Sequence, residues 1–156
     1  MKNSMYLWAK ELFPFNRSIT GQGVRQTLIY IKKKIPNLKI KSLNSGAKCF
    51  DWKIPSEYKI YDAFIKNSKN EKIINFKNNN LHLMGYSEPV NKTMNFKELK
   101  KKIHILKNQP NAIPYRTSYY KKDWGFCLSF NDYKKIDKKQ KFHVLINSKF
   151  LNGKLN

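Results

Sequence analysis

The sequence predicts an α+β protein, and three observations carry that prediction. Apolar residues recur at helical spacing as far as Pro36, the spacing shifts toward two beyond it, and polar turn clusters then punctuate the chain at short intervals. With 156 residues, 40% of them hydrophobic and 14% aromatic, the chain has enough apolar material for an ordinary core.

Ser4 is placed to cap a first helix carrying Met5, Trp8 and Leu12, and Pro14 ends it because proline supplies no backbone donor. Phe15 to Gly23 reads as a polar turn. Val24, Leu28, Ile31 and Ile35 then follow at spacings of 4, 3 and 4, an amphipathic helix stopped by Pro36-Asn37. Leu38, Ile40 and Leu43 alternate with Lys and Ser up to a turn at Ser45-Gly46. Further strands are expected at Lys48 to Lys53, Ile60 to Lys66, Lys72 to Phe76 and Leu81 to Ser87, between turn-forming clusters at Pro55-Ser56, Asn67 to Asn70 and Asn78 to Asn80.

Asn95 caps another expected helix, with Phe96, Leu99, Ile103 and Leu106 inward and Lys97 and Lys100 to Lys102 outward; His104 would lie beside its apolar face. After Pro110 the chain is locally aromatic, and Tyr119 to Lys122 reads as a loop leading into a strand. Asn131 to Ile136 fits a helical turn or two, and Phe142 to Ser148 a strong strand. Asn152-Gly153 carries the residues of a type I′ hairpin turn. Only Lys154, Leu155 and Asn156 follow, so the returning strand would be incomplete and the polypeptide is expected to stop in the middle of a sheet.

The formal charge is +22, which makes nucleic acid the first suspect. Arginine, whose planar fork suits phosphate and guanine, occurs only at Arg17, Arg25 and Arg116; the other basic residues are lysines in short separate clusters. Abundant Lys, Asn and Ile are what an A/T-rich coding sequence supplies, so the charge reads as solvated surface and no specific nucleic-acid partner is expected. No apolar run approaches the roughly 20 residues of a membrane span, and Glu11, Pro14 and Arg17 interrupt any signal-peptide pattern. A cytoplasmic protein without a membrane partner is the expectation.

Cys49 and Cys127 lack the spacing of a zinc knuckle, and His82, His104 and His143 have no second ligand at metal-site spacing, so no metal ligand is assigned in this chain. Neither a G-x-S-x-G elbow nor a plausible Cys-His order is present, and no catalytic residue is assigned. Asp51 and Glu57 flank Trp52 to Pro55 without evident pairing. Gly21-Gln22-Gly23 opening a helix beside Arg17 or Arg25 fits an anion site or a plain helix start. Tyr115, Arg116, Ser118, Tyr119, Tyr120 and Trp124 form the densest group of hydrogen-bonding aromatics; the cluster fits a ligand or partner surface, or a core edge with tyrosines turned outward.

Three segments together resemble one family: Ala9 to Leu28, with Phe13-Pro14-Phe15-Asn16-Arg17-Ser18-Ile19-Thr20-Gly21-Gln22-Gly23 at its centre; Phe50-Asp51-Trp52-Lys53-Ile54-Pro55; and Ile113-Pro114-Tyr115-Arg116-Thr117-Ser118-Tyr119-Tyr120 with Trp124 to Leu128. Leu81 to Val90 fits as well. They are similar to the N-terminal part of bacterial aminopeptidase-like proteins related to co-catalytic zinc exopeptidases, in which a β-rich domain of unknown function is inserted and a C-terminal winged helix follows. The resemblance implies N-terminal helices of a zinc-exopeptidase-like α/β domain at 1–37, the inserted β-rich domain at 38–136, and the first returning strand at 137–156.

It also implies that the zinc ligands and catalytic carboxylate of a complete member arrive after this chain ends. The chain would then be inactive alone in peptide or amide hydrolysis, with the C-terminal peptidase portion as its expected partner. Arg17, Thr20, Tyr115, Arg116, Ser118, Tyr119, Tyr120 and Trp124 are the substrate-binding residues expected near the cleft. The alternatives are a subunit of a split enzyme and a stand-alone binding module for a peptide or a glycan, the latter suiting the polysaccharide-biosynthesis neighbourhoods of the family's relatives.

Overall fold

A computed structural model supplies the structure, which describes residues 2–156, with side chains from Ser4 onward. α1 spans Lys2–Leu12 and stops ahead of Pro14, as the missing N–H requires. Ser4 lies inside its first turn, so the capping role expected for it does not hold. α2 spans Gln22–Lys34 and ends before Pro36. Gly21 precedes α2 with φ at 109°, in the region glycine alone enters cheaply, and the Tyr58 carbonyl oxygen would lie 3.1 Å from any Cβ there.

The chain packs into two units: the residues up to Lys59 with Phe150–Asn156, and Ile60–Lys149. It passes between them within two long strands, β4 (Glu57–Lys66) and β9 (Lys141–Leu151). These divisions differ from the change of periodicity at residue 38, because residues 43–59 pair among themselves and with the chain's last strand.

In the first unit, β1 is Leu43–Asn44, β2 Lys48–Cys49 and β3 Trp52–Lys53; β2 and β3 form a tight hairpin through Phe50-Asp51. Residues 38–42 are irregular, against the strand expected there. β10, Lys154–Leu155, pairs antiparallel with β1, and Leu155 also bridges Thr20. The type I′ hairpin expectation therefore fails. Neither Asn152 nor Gly153 has positive φ, β10 takes β1 and Thr20 as neighbours, and the Gly153 carbonyl accepts from Ser45 N–H at 2.8 Å. Gly153 is needed for closeness instead, since a Cβ there would meet the Glu57 carboxyl at 2.3 Å.

The second unit is built on a four-stranded sheet of order β5-β4-β9-β6, with β5 at Lys72–Asn75 and β6 at Val90–Asn95. β6 runs antiparallel to β9 in register from Val90↔Ile146 to Asn95↔Lys141. Alternation along β9 sends Phe142, Val144 and Ile146 into the core, where Ala63, Ile65, Ile74, Met94 and Leu99 meet them. α3, Phe96–Lys100, starts with the full capping box of Asn95 and Glu98. It is shorter than expected. Ile103–His104 is β7, parallel to β8 (Phe126–Cys127), and the carbonyls of Lys102 and His104 accept from Phe126 and Leu128 N–H at 2.8 and 3.1 Å.

His104 thus sits on a strand and not on a helix face. Leu81 to Ser87 is likewise no continuous strand: it opens with a 3₁₀ turn at Asn80–His82 and continues through single bridges at Leu83 and Gly85. α4, Phe130–Lys135, is capped by Ser129, whose hydroxyl accepts from Asp132 N–H at 3.0 Å.

Candidate functional site

The segment from Tyr115 to Trp124 has little regular structure, so its position depends on specific hydrogen bonds. Gly85 N–H donates to the Arg116 carbonyl and Ser118 N–H to the Gly85 carbonyl, both at 2.9 Å, a short parallel staple centred on Thr117. Ser118 Oγ donates to the Tyr86 carbonyl at 2.9 Å. A second layer lies beneath: Ser87 Oγ donates to the Met84 carbonyl at 2.6 Å and accepts from Gly125 N–H, while Ser148 Oγ donates to the Ser87 carbonyl at 2.9 Å. Glu88 N–H closes the far end on the Asp123 carbonyl at 3.0 Å. These buried donors and acceptors are satisfied within the loop and its neighbours, which fixes the loop without a helix or long strand.

The aromatic residues divide by exposure. Tyr86 and Tyr119 meet edge to face with centroids 5.1 Å apart, and Tyr119 meets Tyr120 at 4.5 Å. Tyr86 holds φ at 62° and is buried, so packing compensates its backbone strain. Tyr115 and Tyr120 are 71% and 89% exposed and Arg116 is exposed beside them. Half-buried Trp124 has the ammonium groups of Lys92 and Lys102 at 5.5 and 5.4 Å from its ring, so cations occupy positions over the indole that a sugar ring would need.

Lys102 also pairs with Asp123, whose carboxyl is held below its usual range chiefly by that hydrogen bond. His104 is held below its ordinary value of 6.5, first by burial, then by Arg116, with Lys102 acting the same way and Asp123 partly opposing. It is therefore neutral at pH 7. Because its proton is taken up more readily in the unfolded chain, this group subtracts stability as pH falls through 6.5.

Of the expected substrate residues, Tyr115, Arg116, Ser118, Tyr119, Tyr120 and Trp124 are contiguous in the second unit, whereas Arg17 and Thr20 belong to the first. Ser118 and Tyr119 are internal supports. Arg17 donates to the Leu12 carbonyl, and Thr20 is buried with its hydroxyl 3.2 Å from the Ser56 carbonyl, so both hold the turn before α2. Arg25 is bound to Glu57 by two hydrogen bonds, at 2.5 and 2.9 Å, and is not turned toward an anion at the helix start. Sequence reasoning missed Lys92, Lys102, His104 and Asp123, which nothing in the local pattern joins to the aromatic segment.

Among the described residues no group of three His, Cys, Asp or Glu is gathered to hold a metal ion, so the residues present do not fit a zinc site. The Cys127 thiol is buried and pushed up to about 12, principally by desolvation, which keeps it from acting as a thiolate. His82 Nδ1 lies 2.9 Å from the Cys127 carbonyl and His143 Nε2 2.8 Å from Asn91 Oδ1, both structural bonds. An open cleft of about 470 Å³ between Asn67–Ile73 and Leu128–Gln140 is lined by Glu71, Asp132 and Asp137 as well as by Lys69 and Lys135. No helix among the described residues is long and apolar enough to cross a membrane.

Residues 57–149 match the family described as "Domain of unknown function (DUF2172)", a span that contains the whole second unit. A protein of Clostridium acetobutylicum named "Putative polysaccharide biosynthesis protein with aminopeptidase-like domain" is 48% identical over 97% of this chain. The chain spans 34% of that relative's length. A crystal structure of a "putative peptidase" from the same organism superposes with a TM-score of 0.92 at 48% identity, over 98% of this chain and 36% of that one. The relatives are thus peptidase-like by name, and the chain corresponds to about a third of each.

Proposed function

We propose, from the premise that this chain belongs to the DUF2172 family, that it is the ligand-presenting, non-hydrolytic part of an aminopeptidase-like protein. The β-rich second unit corresponds to the inserted module, and the helical first unit to the edge of the peptidase-like domain. One observation carries the reading: the Tyr115 to Trp124 segment is held by internal hydrogen bonds, yet leaves Tyr115, Arg116 and Tyr120 open to solvent. A loop ordered at that cost in conformational entropy, with its polar aromatics outward, is arranged for recognition. The Arg116 fork offers paired donors to a carboxylate and the two tyrosines offer apolar area with a polar edge, which fits an acidic peptide or an acidic glycan.

In this reading, amide hydrolysis and its zinc belong to polypeptide outside this chain, and no step of it is assigned here. A self-contained binding module would use the same surface. The two are separated by whether binding requires the peptidase-like portion.

The purified chain, supplied with zinc and chromogenic aminoacyl amides, is expected to give no turnover above background. Titration with acidic peptides and glycans should show saturable binding that Arg116→Ala combined with Tyr120→Ala weakens about tenfold or more. Because both side chains are exposed, the melting temperature should not move by more than about 1 °C. Stoichiometric zinc with turnover by the chain alone would overturn the reading, and equal binding by the double variant would remove the surface from it.

A further inference from the structure

The cleft between the β4-β5 turn and the segment running from α4 to β9 plays no part in the function proposed above. It lies wholly within the second unit and holds about 470 Å³, inside the size range of small-ligand sites. Its walls are set in advance. On one side Asn67 Oδ1 accepts from the N–H groups of Lys69 and Glu71 at 3.0 and 2.9 Å, and Asn67 Nδ2 donates to Glu71 Oε2 at 2.6 Å. Gln140 ties this wall to the other, because its Oε1 accepts from both Ser68 N–H and Ser68 Oγ, at 3.1 and 2.8 Å. Two walls joined in this way need no ligand to shape the space between them. At the bottom Leu128 is 1% exposed, while Ile73, 38% exposed, and half-buried Ile136 form a shallow apolar shelf with no deep slot for a side chain. Asp132 is already engaged, by Lys135 at 2.8 Å and Ser129 Oγ at 2.6 Å. Glu71 and Asp137 stand on opposite walls, and neither forms an ion pair among the described residues. Asn67 uses one oxygen of Glu71, and Lys139 N–H uses Asp137 Oδ1 at 3.0 Å, which leaves the second oxygen of each for a ligand.

We propose that this cleft binds an aminated sugar, with Glu71 and Asp137 receiving its ammonium and hydroxyl protons and the carbon face of its ring resting on Ile73 and Ile136. Each feature of the lining then has a counterpart in the ligand. Glu71, Asp132 and Asp137 against Lys69 and Lys135 leave one negative charge in excess, on a chain whose formal charge is +22, and a single ammonium balances it. The ammonium also brings three donors to carboxylate oxygens, the stronger kind of hydrogen bond. Ring hydroxyls accept from the Gln140 amide nitrogen and the Lys69 ammonium and donate in turn. A flat C–H face suits a shallow shelf, on which the long side chain of an amino-terminal peptide residue would stay largely wet. Among the described residues these carboxylates are not gathered closely enough for a metal ion, so the cation that fits is an organic one. An acidic ligand, which Arg116 would attract, is disfavoured here, so the two surfaces select opposite classes.

The test follows the backbone amides of the whole chain by NMR during titration with methyl glucosaminide, at mildly acidic pH where the amine carries its proton. Shifts at Ser68, Glu71 and Lys139 should saturate together with a Kd of about 1 mM or tighter. The N-acetylated sugar keeps the ring and its hydroxyls but loses the charge, and should bind about tenfold more weakly. Leucinamide, an amine without a ring, should be weaker by about the same factor, because it leaves the Gln140 and Lys69 donors unmatched. Asp137→Asn and Glu71→Gln keep the acceptors that Lys139 and Asn67 use, so each should weaken binding about threefold or more while the melting temperature moves by less than about 1 °C. Equal binding of the acetylated sugar, tighter binding of leucinamide, unchanged binding by both variants, or shifts confined to other surfaces would each overturn the proposal. The comparison of ligands is made on the unaltered chain and needs neither variant. No residue from Tyr115 to Trp124 lines the cleft, so the result is independent of the acidic-ligand surface.

Discussion

Phe126→Ala is expected to cost the second unit about 3–5 kcal/mol, the usual range for truncating a buried phenylalanine whose cavity cannot collapse. Phe126 is fully buried, and its backbone is held on two sides, by the N–H to the Lys102 carbonyl at 2.8 Å and by the bridge to Leu83. With the strand pinned, neighbours such as Leu128 and Phe142 cannot move in to fill the space. Hydrogen exchange at the amides of Phe142, Val144 and Ile146 measures the loss directly. Protection reduced by less than about 1 kcal/mol would show that the centre of this core lies elsewhere.

Glu57→Gln is expected to cost the first unit about 2 kcal/mol, because one carboxylate joins three separate segments. It accepts both hydrogen bonds from Arg25 of α2 and a third from Lys154 N–H of β10 at 2.8 Å, and it begins β4. The figure stays modest because the Arg25 side chain is 33% exposed and water screens the pair. The Arg25 hydrogen bonds hold the carboxyl below its ordinary value of 4.5 despite desolvation. A depressed folded-state pKa means that this stabilisation is complete above pH 4.5 and is lost as pH falls through the lower folded value. Wild-type stability should therefore decline with acid below pH 4.5, and the Gln variant should start lower and decline less. Parallel curves for the two proteins would exclude Glu57 as the group responsible.

Much of the fold was legible where one local signal had no competitor. The prolines at 14 and 36 bound the two helices, the Asn95-Glu98 pair caps α3, and the alternation in Phe142 to Ser148 gives the central strand. The failures share a cause. Leu99, Ile103 and Leu106 keep helical spacing, yet Ile103 and His104 leave the helix because two backbone carbonyls there are needed by Phe126 and Leu128. β6 went unseen because Val90 and Met94 are separated by Asn, Lys and Thr on an edge strand that needs little apolar surface. The Asn152-Gly153 pair suited a hairpin, but β1 and Thr20 were available as partners and won.

The candidate surface shows the same division. The sequence by itself determined the α+β class, the ends of the first two helices at their prolines, the central strand and the aromatic segment from Tyr115 to Trp124, because each is set by residues within a few positions of one another. Only the tertiary structure decided that Ser118 and Tyr119 face inward while Tyr115 and Tyr120 face out, that Lys92 and Lys102 sit over Trp124, and that Glu57 takes Arg25. Those outcomes depend on which distant backbone groups and charges find each other when the core closes, and no local period encodes that pairing.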